Sequence, residues 1–400
     1  MIGDDFSSTT HPPLPPTTED DRLLWLRLLR SRRVGPTTFH RLLKEHGSIA
    51  EAFAALPEIA RGAGVKDYRP LPADDAAREY EAGLRAGARL LLFGEPEYPE
   101  TLADLTDAPP LLWCMGDVSL LRRPIIALVG ARNASSLGVR MARSLARDLA
   151  RQGFVVGSGL ARGIDTAAHA ASLDTGTIAV MAGGVDVIYP AENTKLGQDI
   201  AESGLRISEQ PIGLSPTARY FPMRNRIVSG MSIATVVVEA AARSGSLITA
   251  RNALDQGREV LAVPGHPLDA RASGCNLLIR DGARLVRSAE DVVEAVAEFF
   301  QPSPEVTPSM PDEVGTGSRP SPADSEPFPR VHGSQDRAVS QPTVALQDAI
   351  LGRLGPSPLA EDQLIRDLGQ SPENLAPALL DLELDGKILR GPGGLLSLVP

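Results

Sequence analysis

Between Phe221 and Ser232 the chain reads FPMRNRIVSGMS, with Arg224 and Arg226 on either side of Asn225 and an apolar run after them. The continuation, Ile233 to Ala250 (IATVVVEAAARSGSLITA), ends in a Gly-Ser turn that opens a helix. Guanidinium groups fork onto phosphate oxygens and a helix start offers free amides to the same oxygens, so this order of residue types suits an anion pocket. Gly130-Ala131-Arg132 puts a further guanidinium beside another helix start. Ser135 and Ser136 just beyond it either cap that helix or donate hydroxyls to a ligand. Gly157-Ser158-Gly159 with Gly163 fits a GxGxxxG spacing. It follows the second strand of the pattern, and the next strand ends in Ala182-Gly183-Gly184 where a dinucleotide ribose needs an acid. These small residues therefore read as room for a close backbone or a phosphate chain. Lys195, at a helix start after Tyr189-Pro190, is the only lysine between residues 67 and 386.

Two residues apart, Arg224 and Arg226 share a face on a strand and diverge by about 200° on a helix. Each is either a ligand contact or an ion-pair partner for Glu239 or Glu209. Base stacking needs exposed rings, and the region offers Phe154, Tyr189, Tyr220 and Phe221. Phe154 reads as core, leaving Tyr220 and Phe221, beside the arginines, as the expected platforms. Catalysis finds little support. His169 lies four residues after Asp165, a spacing that suits either a helix-surface pair or an acid/base couple. His266 follows Pro264-Gly265 in a loop, and no HxxxH, HExxH or GxSxG pattern organises a metal or a nucleophile. Glu239, closing a buried strand, is the one carboxylate placed where a nucleophile or general acid would sit. The expectation is no catalytic residue, no metal and no cofactor.

Several elements must position these groups. Strand patterns at Ile125 to Val129, Phe154 to Val156, Thr177 to Met181, Ile233 to Glu239 and Glu259 to Val263 alternate with helical stretches. Continuous apolar strands separated by helices predict a Rossmann-like α/β domain, a parallel sheet covered on both faces. Ligands on such sheets bind beyond the carboxyl ends of the strands, where Gly130, Gly157, Gly183 and Pro264-Gly265 fall.

Residues 1–20 are acidic and Pro-rich and read as disordered. A small helical domain of helix-hairpin-helix or SAM type follows over 21–72; from Arg22 to Lys44 it carries seven Lys and Arg and no acid. Val34-Gly35-Pro36 sits between two helical patterns, either as a plain αα-hairpin or as one whose amides face a phosphate. Residues 73–121 connect it, through a strand-like Arg89 to Phe93 and a Pro-rich stretch, to the main domain at 122–300. Nine prolines and few large apolar residues over 301–342 predict a linker. Residues 343–400 show three helical patterns, over 344–354, 359–368 and 372–384, and a hairpin turning near Gly393-Gly394, the order of a winged helix. Its third helix presents Glu373, Asp381, Glu383 and Asp385 where a DNA reader carries Arg or Lys, so a protein-binding or stabilising role fits better.

The formal charge of −10 would oppose a nucleic-acid partner if evenly spread. It is not: residues 122–290 hold 20 Lys and Arg against 14 Asp and Glu, whereas 343–400 hold 4 against 8. Cys114 and Cys275, with no paired spacing, read as reduced core thiols. No apolar run approaches the roughly 20 residues a membrane span needs, and the start lacks a signal pattern, so a soluble cytoplasmic protein is expected, without membrane insertion.

The blocks Ile126 to Gly138 (IALVGARNASSLG), Phe154 to His169 (FVVGSGLARGIDTAAH), Gly183 to Asn193 (GGVDVIYPAEN) and Val260 to Gly265 (VLAVPG), together with the 221–250 stretch, closely resemble the DprA/Smf family. The resemblance implies a homodimer, through the Rossmann-like domain, that binds single-stranded DNA. It further implies protection of incoming strands during natural transformation and loading of RecA onto them. In that family the arginine matching Arg132 and a basic residue near Lys195 are implicated in holding the strand. The expected DNA-binding set is Gly130, Arg132, Ser135, Gly157, Ser158, Lys195, Arg224, Asn225 and Arg226, with Tyr220 and Phe221 for stacking. Two other readings compete. A phosphoribohydrolase of the lysine-decarboxylase-like (LOG) family shares the general architecture, but its PGGxGTxxE signature is absent: Gly183-Gly184 continues into VDVIYP. The other is a nucleotide-binding regulator that does not touch DNA.

Overall fold

The computed structural model describes residues 18–297 and then 343–354, 359–371, 375, 377–379, 382–383, 387–391 and 395–398. The expected disordered start, up to residue 17, and the expected Pro-rich linker lie outside the described residues.

Four helices come first: α1 (Glu19–Arg30), α2 (Pro36–His46), α3 (Ile49–Gly62) and α4 (Ala73–Arg85). Their ends follow from local chemistry. The Thr18 and Ser48 side chains accept from the amides of Asp21 and Glu51, and α2 starts with Pro36 after Gly35. Trp25, Leu26, Leu28, Phe39, Leu42 and Leu56 form their core, which runs on without a break into Leu90, Leu92, Leu111 and Trp113 of the sheet. Four of the seven basic residues bind protein groups here, Arg41 through an exposed pair with Glu45 at 3.5 Å. Arg22 pairs with Glu95, Arg27 donates to the Leu71 carbonyl, and Arg30 makes a two-pronged contact with Glu79. Arg32 and Arg33, at the hairpin, stay exposed.

The chain then builds β1 (Arg89–Leu92), the short helix α5 (Glu100–Ala103), β2 (Leu111–Gly116), β3 (Ile125–Gly130), α6 (Ser136–Arg151), β4 (Val155–Ser158), α7 (Ile164–Ser172) and β5 (Thr177–Val180). It continues with α8 (Thr194–Ser203), β6 (Leu205–Ser208), α9 (Tyr220–Gly230), β7 (Ala234–Glu239), α10 (Ser246–Asp255), β8 (Glu259–Ala262), α11 (Ser273–Arg280), β9 (Arg284–Leu285) and α12 (Ala289–Val296). The nine strands form one sheet in the order β1-β2-β6-β5-β4-β3-β7-β8-β9. From β6 to β9 every pair is parallel; β1 and β2 extend the sheet antiparallel at one edge. Apolar clusters cover both faces, as a parallel sheet requires.

Three strands of the sheet escaped the sequence reading, the two-residue β9 because it is too short to show a pattern and two others for reasons in their sequences. Leu111 to Gly116 follows Pro109-Pro110 and reads as a Pro-rich connector, yet its side chains pack from Leu111 to Cys114 with no solvent access beyond 1%. The prolines only set its start. Leu205 to Ser208 is four residues long and carries Arg206, which breaks the apolar run, although that arginine is itself buried. Residues 73–121 thus do more than connect, since they give α4, β1 and β2 to the sheet and its cover.

The second unit, described by itself, holds α13 (Thr343–Arg353), β10 (Leu359–Ala360), α14 (Glu361–Leu368), β11 (Ile388–Gly391) and β12 (Leu395–Leu398), with the strands in the order β10-β12-β11. Ile350, Leu364, Leu375, Leu379, Leu382 and Leu396 make its core. This is a winged-helix arrangement. Leu359-Ala360, read as the start of a helix, pairs instead with β12. The acidic positions Glu373, Asp381 and Asp385 and the turn at Gly393-Gly394 lie outside the described residues.

One contact tests how the first helices dock on the sheet. Glu79 on α4 accepts from the Trp113 ring nitrogen at 3.0 Å while holding Arg30, and Gly83, one turn on, lies flat against the same ring. At an exposed helical site, glycine to alanine stabilises by about 0.8–1.0 kcal/mol. Here the new Cβ would stand 2.3 Å from the Trp113 ring. Gly83→Ala is therefore expected to destabilise, by about 1–3 kcal/mol, in a denaturant titration followed by Trp fluorescence; a stabilised variant would show that this interface has slack.

Candidate functional site

The strand order reverses between β3 and β7, and an open groove of ≈ 730 Å³ lies beyond their carboxyl ends. Its lining includes Gly130, Arg132, Gly159, Asp165, Phe221, Arg224, Asn225, Arg243, Ser246, Thr249 and Arg271. Four arginines thus face one carboxylate.

Arg224 forms the floor. The FPMRNR stretch is helical, so its two arginines point in opposite directions. Arg224, 5% exposed, lies over Gly159, where a Cβ would come within 1.5 Å of its Nη1, and donates to the Val180 carbonyl at 2.9 Å. Its Nε has no partner among the described residues. Burial lowers its pKa to about 10, with Asp165 acting the other way and Arg132 adding to the fall. Asp165 in turn accepts from the amides of Gly159 (3.2 Å) and Ala161 (3.3 Å); burial raises its pKa, and Arg224 and these amides oppose the rise. Arg226 turns away to Glu209 and to the Asp107 carbonyl at 2.7 Å, which settles the pairing left open between Glu209 and Glu239.

The loop under Arg224 is strained and heavily braced. Leu160 has φ 53°, a left-handed conformation that costs a branched residue energy unless its surroundings hold it. His169 Nε2 accepts from the Leu160 amide at 3.3 Å while its Nδ1 meets Thr177 Oγ1 at 2.8 Å, and Asn193 donates to the Leu160 carbonyl at 2.9 Å. His169 is fully buried, so it belongs neither to a surface pair nor to an acid/base couple with Asp165. At Gly163, φ 79°, a Cβ would lie 2.2 Å from the Ala131 carbonyl, so this glycine of the GxGxxxG pattern admits a neighbouring backbone.

Arg132 stands exposed at the rim with its guanidinium 5.1 Å from the Phe221 ring centroid, and the ring of Tyr189, 48% exposed, lies 5.8 Å from that of Phe221. Such stacking holds a cation in place without cancelling its charge. Tyr189 was not among the expected platforms, because the loop between β5 and α8 gives no periodic signal to place it.

Other expected residues are occupied elsewhere. Ser158 is fully buried and donates to the Leu128 carbonyl at 2.6 Å; Gly157 is a sheet residue packed against Met231 and Ile125. Ser135 caps α6 through the Gly138 amide and donates to Glu239 at 2.5 Å. Glu239 also accepts from the Ser135 amide at 3.0 Å and sits against Gly138, so it is the internal anion of the α6 N-terminus and not a groove carboxylate. Lys195 pairs with Asp199 at 2.7 Å, and Tyr220 packs with Arg219. None of these lines the groove. Among the described residues no cluster of His, Cys, Asp and Glu could hold a metal, and no helix is long and apolar enough to cross a membrane.

Comparison with known proteins follows the same lines. The sequence model for "DNA recombination-mediator protein A" matches residues 89–297, that for the "DprA-like N-terminal HHH domain" matches 19–82, and that for the "DprA winged helix domain" matches 334–394. DNA processing protein DprA of Bacillus subtilis is 43% identical over 215 residues, covering 53% of this chain and 72% of its own. Protein Smf of Escherichia coli is 36% identical over 307 residues, 75% of each chain. The X-ray structure of DprA from Streptococcus pneumoniae superposes with a TM-score of 0.59 at 32% identity, over 69% of this chain and 98% of that one. DprA from Helicobacter pylori, whose structure was described for its single-stranded-DNA binding mode, gives 0.50 at 29% identity over 54% and 99%.

His169 makes the loop's stability pH-dependent. Its pKa is lowered to about 3 by burial, with Arg224 adding to the fall. In the unfolded chain it titrates near 6.5, so between the two values the unfolded state binds the extra proton. The stability held by neutral His169 is complete above about pH 6.5 and lost as pH falls, by at most roughly 1.4 kcal/mol per pH unit. Denaturant midpoints between pH 7.5 and 4.5 should show His169→Gln less stable at pH 7.5 yet with a shallower decline than wild type; parallel curves would remove His169 from this role.

Proposed function

The chain belongs to the DprA/Smf family, and we propose on that footing that its groove binds single-stranded DNA through phosphate contacts, without catalysing a reaction on it. The observation that carries this reading is the groove itself: Arg132, Arg224, Arg243 and Arg271 against the single Asp165, with the exposed ring of Tyr189 and the half-buried ring of Phe221 at the rim. Positive charge serves any phosphate chain, and flat rings serve any base, so sequence preference is weak. Gly130, Arg132, Arg224, Asn225 and Phe221 are the expected residues that line it.

Protection of incoming strands during natural transformation, loading of RecA and a cytoplasmic location are parts of the same proposal that rest on family membership. So does a homodimer through the Rossmann-like domain, which would cover the exposed Leu254, Leu277 and Leu285 on α10, α11 and the edge strand β9.

Fluorescence anisotropy with a labelled single strand and its duplex, across a salt series, tests the proposal. Preference for the single strand is expected, with log K falling by about 0.7 per neutralised phosphate. Arg132→Ala should weaken every oligonucleotide by a similar factor, about tenfold for one charged contact, and no loss would place the site elsewhere. Removing residues 301–400 should leave affinity nearly unchanged, since 343–400 carry 8 acids against 4 bases; a large loss would give the winged helix a direct part in binding.

A further inference from the structure

The groove has a second wall opposite the family's arginine at the rim. It is the turn Ala241 to Gly245 and the first turn of α10, whose Gly-Ser start the sequence suits to an anion pocket although none of its residues is in the expected DNA-binding set. The turn is fixed from behind. The Gly274 amide donates to the Ala240 carbonyl at 2.7 Å, and Ser273 Oγ accepts from the Ala242 amide at 3.0 Å. The first-turn amides of α10 are already used, Ser246 donating to Ser244 Oγ at 3.4 Å and Leu247 and Ile248 to the Ser244 and Gly245 carbonyls at 3.1 Å, but in the turn before it the amides of Arg243 and Gly245 donate to nothing among the described residues. α6, by contrast, already holds the Glu239 carboxylate at its start.

Two free turn amides alone would say little, but side chains that line the same space point to a ligand independently. Thr249 is 2% exposed and lines the groove, yet its hydroxyl makes no hydrogen bond among the described residues, not even to the carbonyl one turn back that helical threonines commonly use. Ser246, 9% exposed, shares one hydroxyl bond with Ser244 at 2.7 Å, which leaves a second hydroxyl proton of that pair to give away. Arg243, exposed beside them, has no ion-pair partner among the described residues. Hydroxyl and amide donors that line one space without a protein acceptor, beside a cation without a counter-ion, suit an oxyanion that fits it.

We propose that the turn before α10, through the Arg243 and Gly245 amides and the side chains of Arg243, Ser246 and Thr249, is a phosphate subsite of the groove, separate from the one at Arg132. This rests on the reading of the groove as a DNA site and deepens it: a strand would be gripped at two phosphates, with the apolar side of the groove at Val129, Phe221 and Ile248 between. The phosphate is either an internal diester or the monoester of a strand end or mononucleotide.

Thr249→Val removes the hydroxyl at constant shape, Thr249→Ser restores it, and Arg243→Ala removes the free cation; melting curves check that each folds. The probes are oligo-dT of 20 residues with a 5′-hydroxyl, the same with a 5′-phosphate, and dTMP. Thr249→Val should weaken oligo-dT about three- to tenfold, Thr249→Ser should recover it, and Arg243→Ala should flatten the salt slope by about 0.7. A 5′-phosphate preference that Thr249→Val abolishes supports the monoester form, and equal loss on both oligonucleotides supports the diester form. Tight oligo-dT binding that none of the variants changes would overturn the subsite and leave the DNA reading intact. Thr249-dependent dTMP binding by a protein that ignores oligo-dT would support the subsite and overturn the DNA reading; binding of neither probe would overturn both.

Discussion

A guanidinium taken out of water is the constraint around which this sheet end is arranged. Arg224 is only 5% exposed, and a buried charge costs several kcal/mol unless neighbours compensate. The compensation is partial by construction. One carbonyl, that of Val180, and one nearby carboxylate, Asp165, answer it, and Asp165 divides its acceptance between two amides. The result is a floor that stays positive. The same demand fixes residues that never touch a ligand: Gly159 has no Cβ because the guanidinium fills that place, and Leu160 bends left-handed to carry the loop past it. His169, Thr177 and Asn193 hold that bend. His169 must be neutral to do so, since its Nε2 accepts a proton that a charged ring would supply itself.

The helix that brings Arg224 in also sends Arg226 out. Arg226 closes onto Glu209 at the end of β6 and reaches Asp107, tying α9 to the segment after α5 and to the antiparallel edge. One arginine is kept short of partners and the other is saturated. A shared face, as on a strand, would have left both competing for the same carboxylate, so the helical twist is what separates a binding cation from a structural one.

Much of this was legible. The alternation of apolar strands and helices gives the parallel sheet, and the glycines fall at its carboxyl ends because only there must the chain turn sharply. The arginine pair was readable as a fork whose outcome depends on helix or strand. Less visible were features decided by distant contacts. Trp113 marks a sheet strand because α4 and its Glu79 pack on it from some 30 residues away in sequence, and no local pattern encodes that. Ser158 and Gly157 looked like ligand donors, since small polar residues after a strand serve phosphates and sheets equally well. Glu239 stood as the one carboxylate at a position where a catalytic acid would sit, and α6 has its own N-terminus on it. Lys195 drew attention by rarity, but a lysine four residues before an aspartate on an exposed helix is drawn to that neighbour first.

The difference between Lys195 and Arg132 shows what the groove selects. A lysine on a flexible stem must give up rotamer freedom to meet a phosphate, and here it must also leave Asp199. Arg132 stacks on Phe221, and Phe221 is backed by Tyr189, so its plane is set before any ligand arrives. Arg224 is set by burial. Cations fixed in this way lose little entropy on binding, and each keeps its charge because its partner is a ring, a carbonyl or a shared carboxylate and not a dedicated counter-ion. That is why a chain with a formal charge of −10 can present a strongly positive groove: the charge that matters is the part that the fold leaves unanswered.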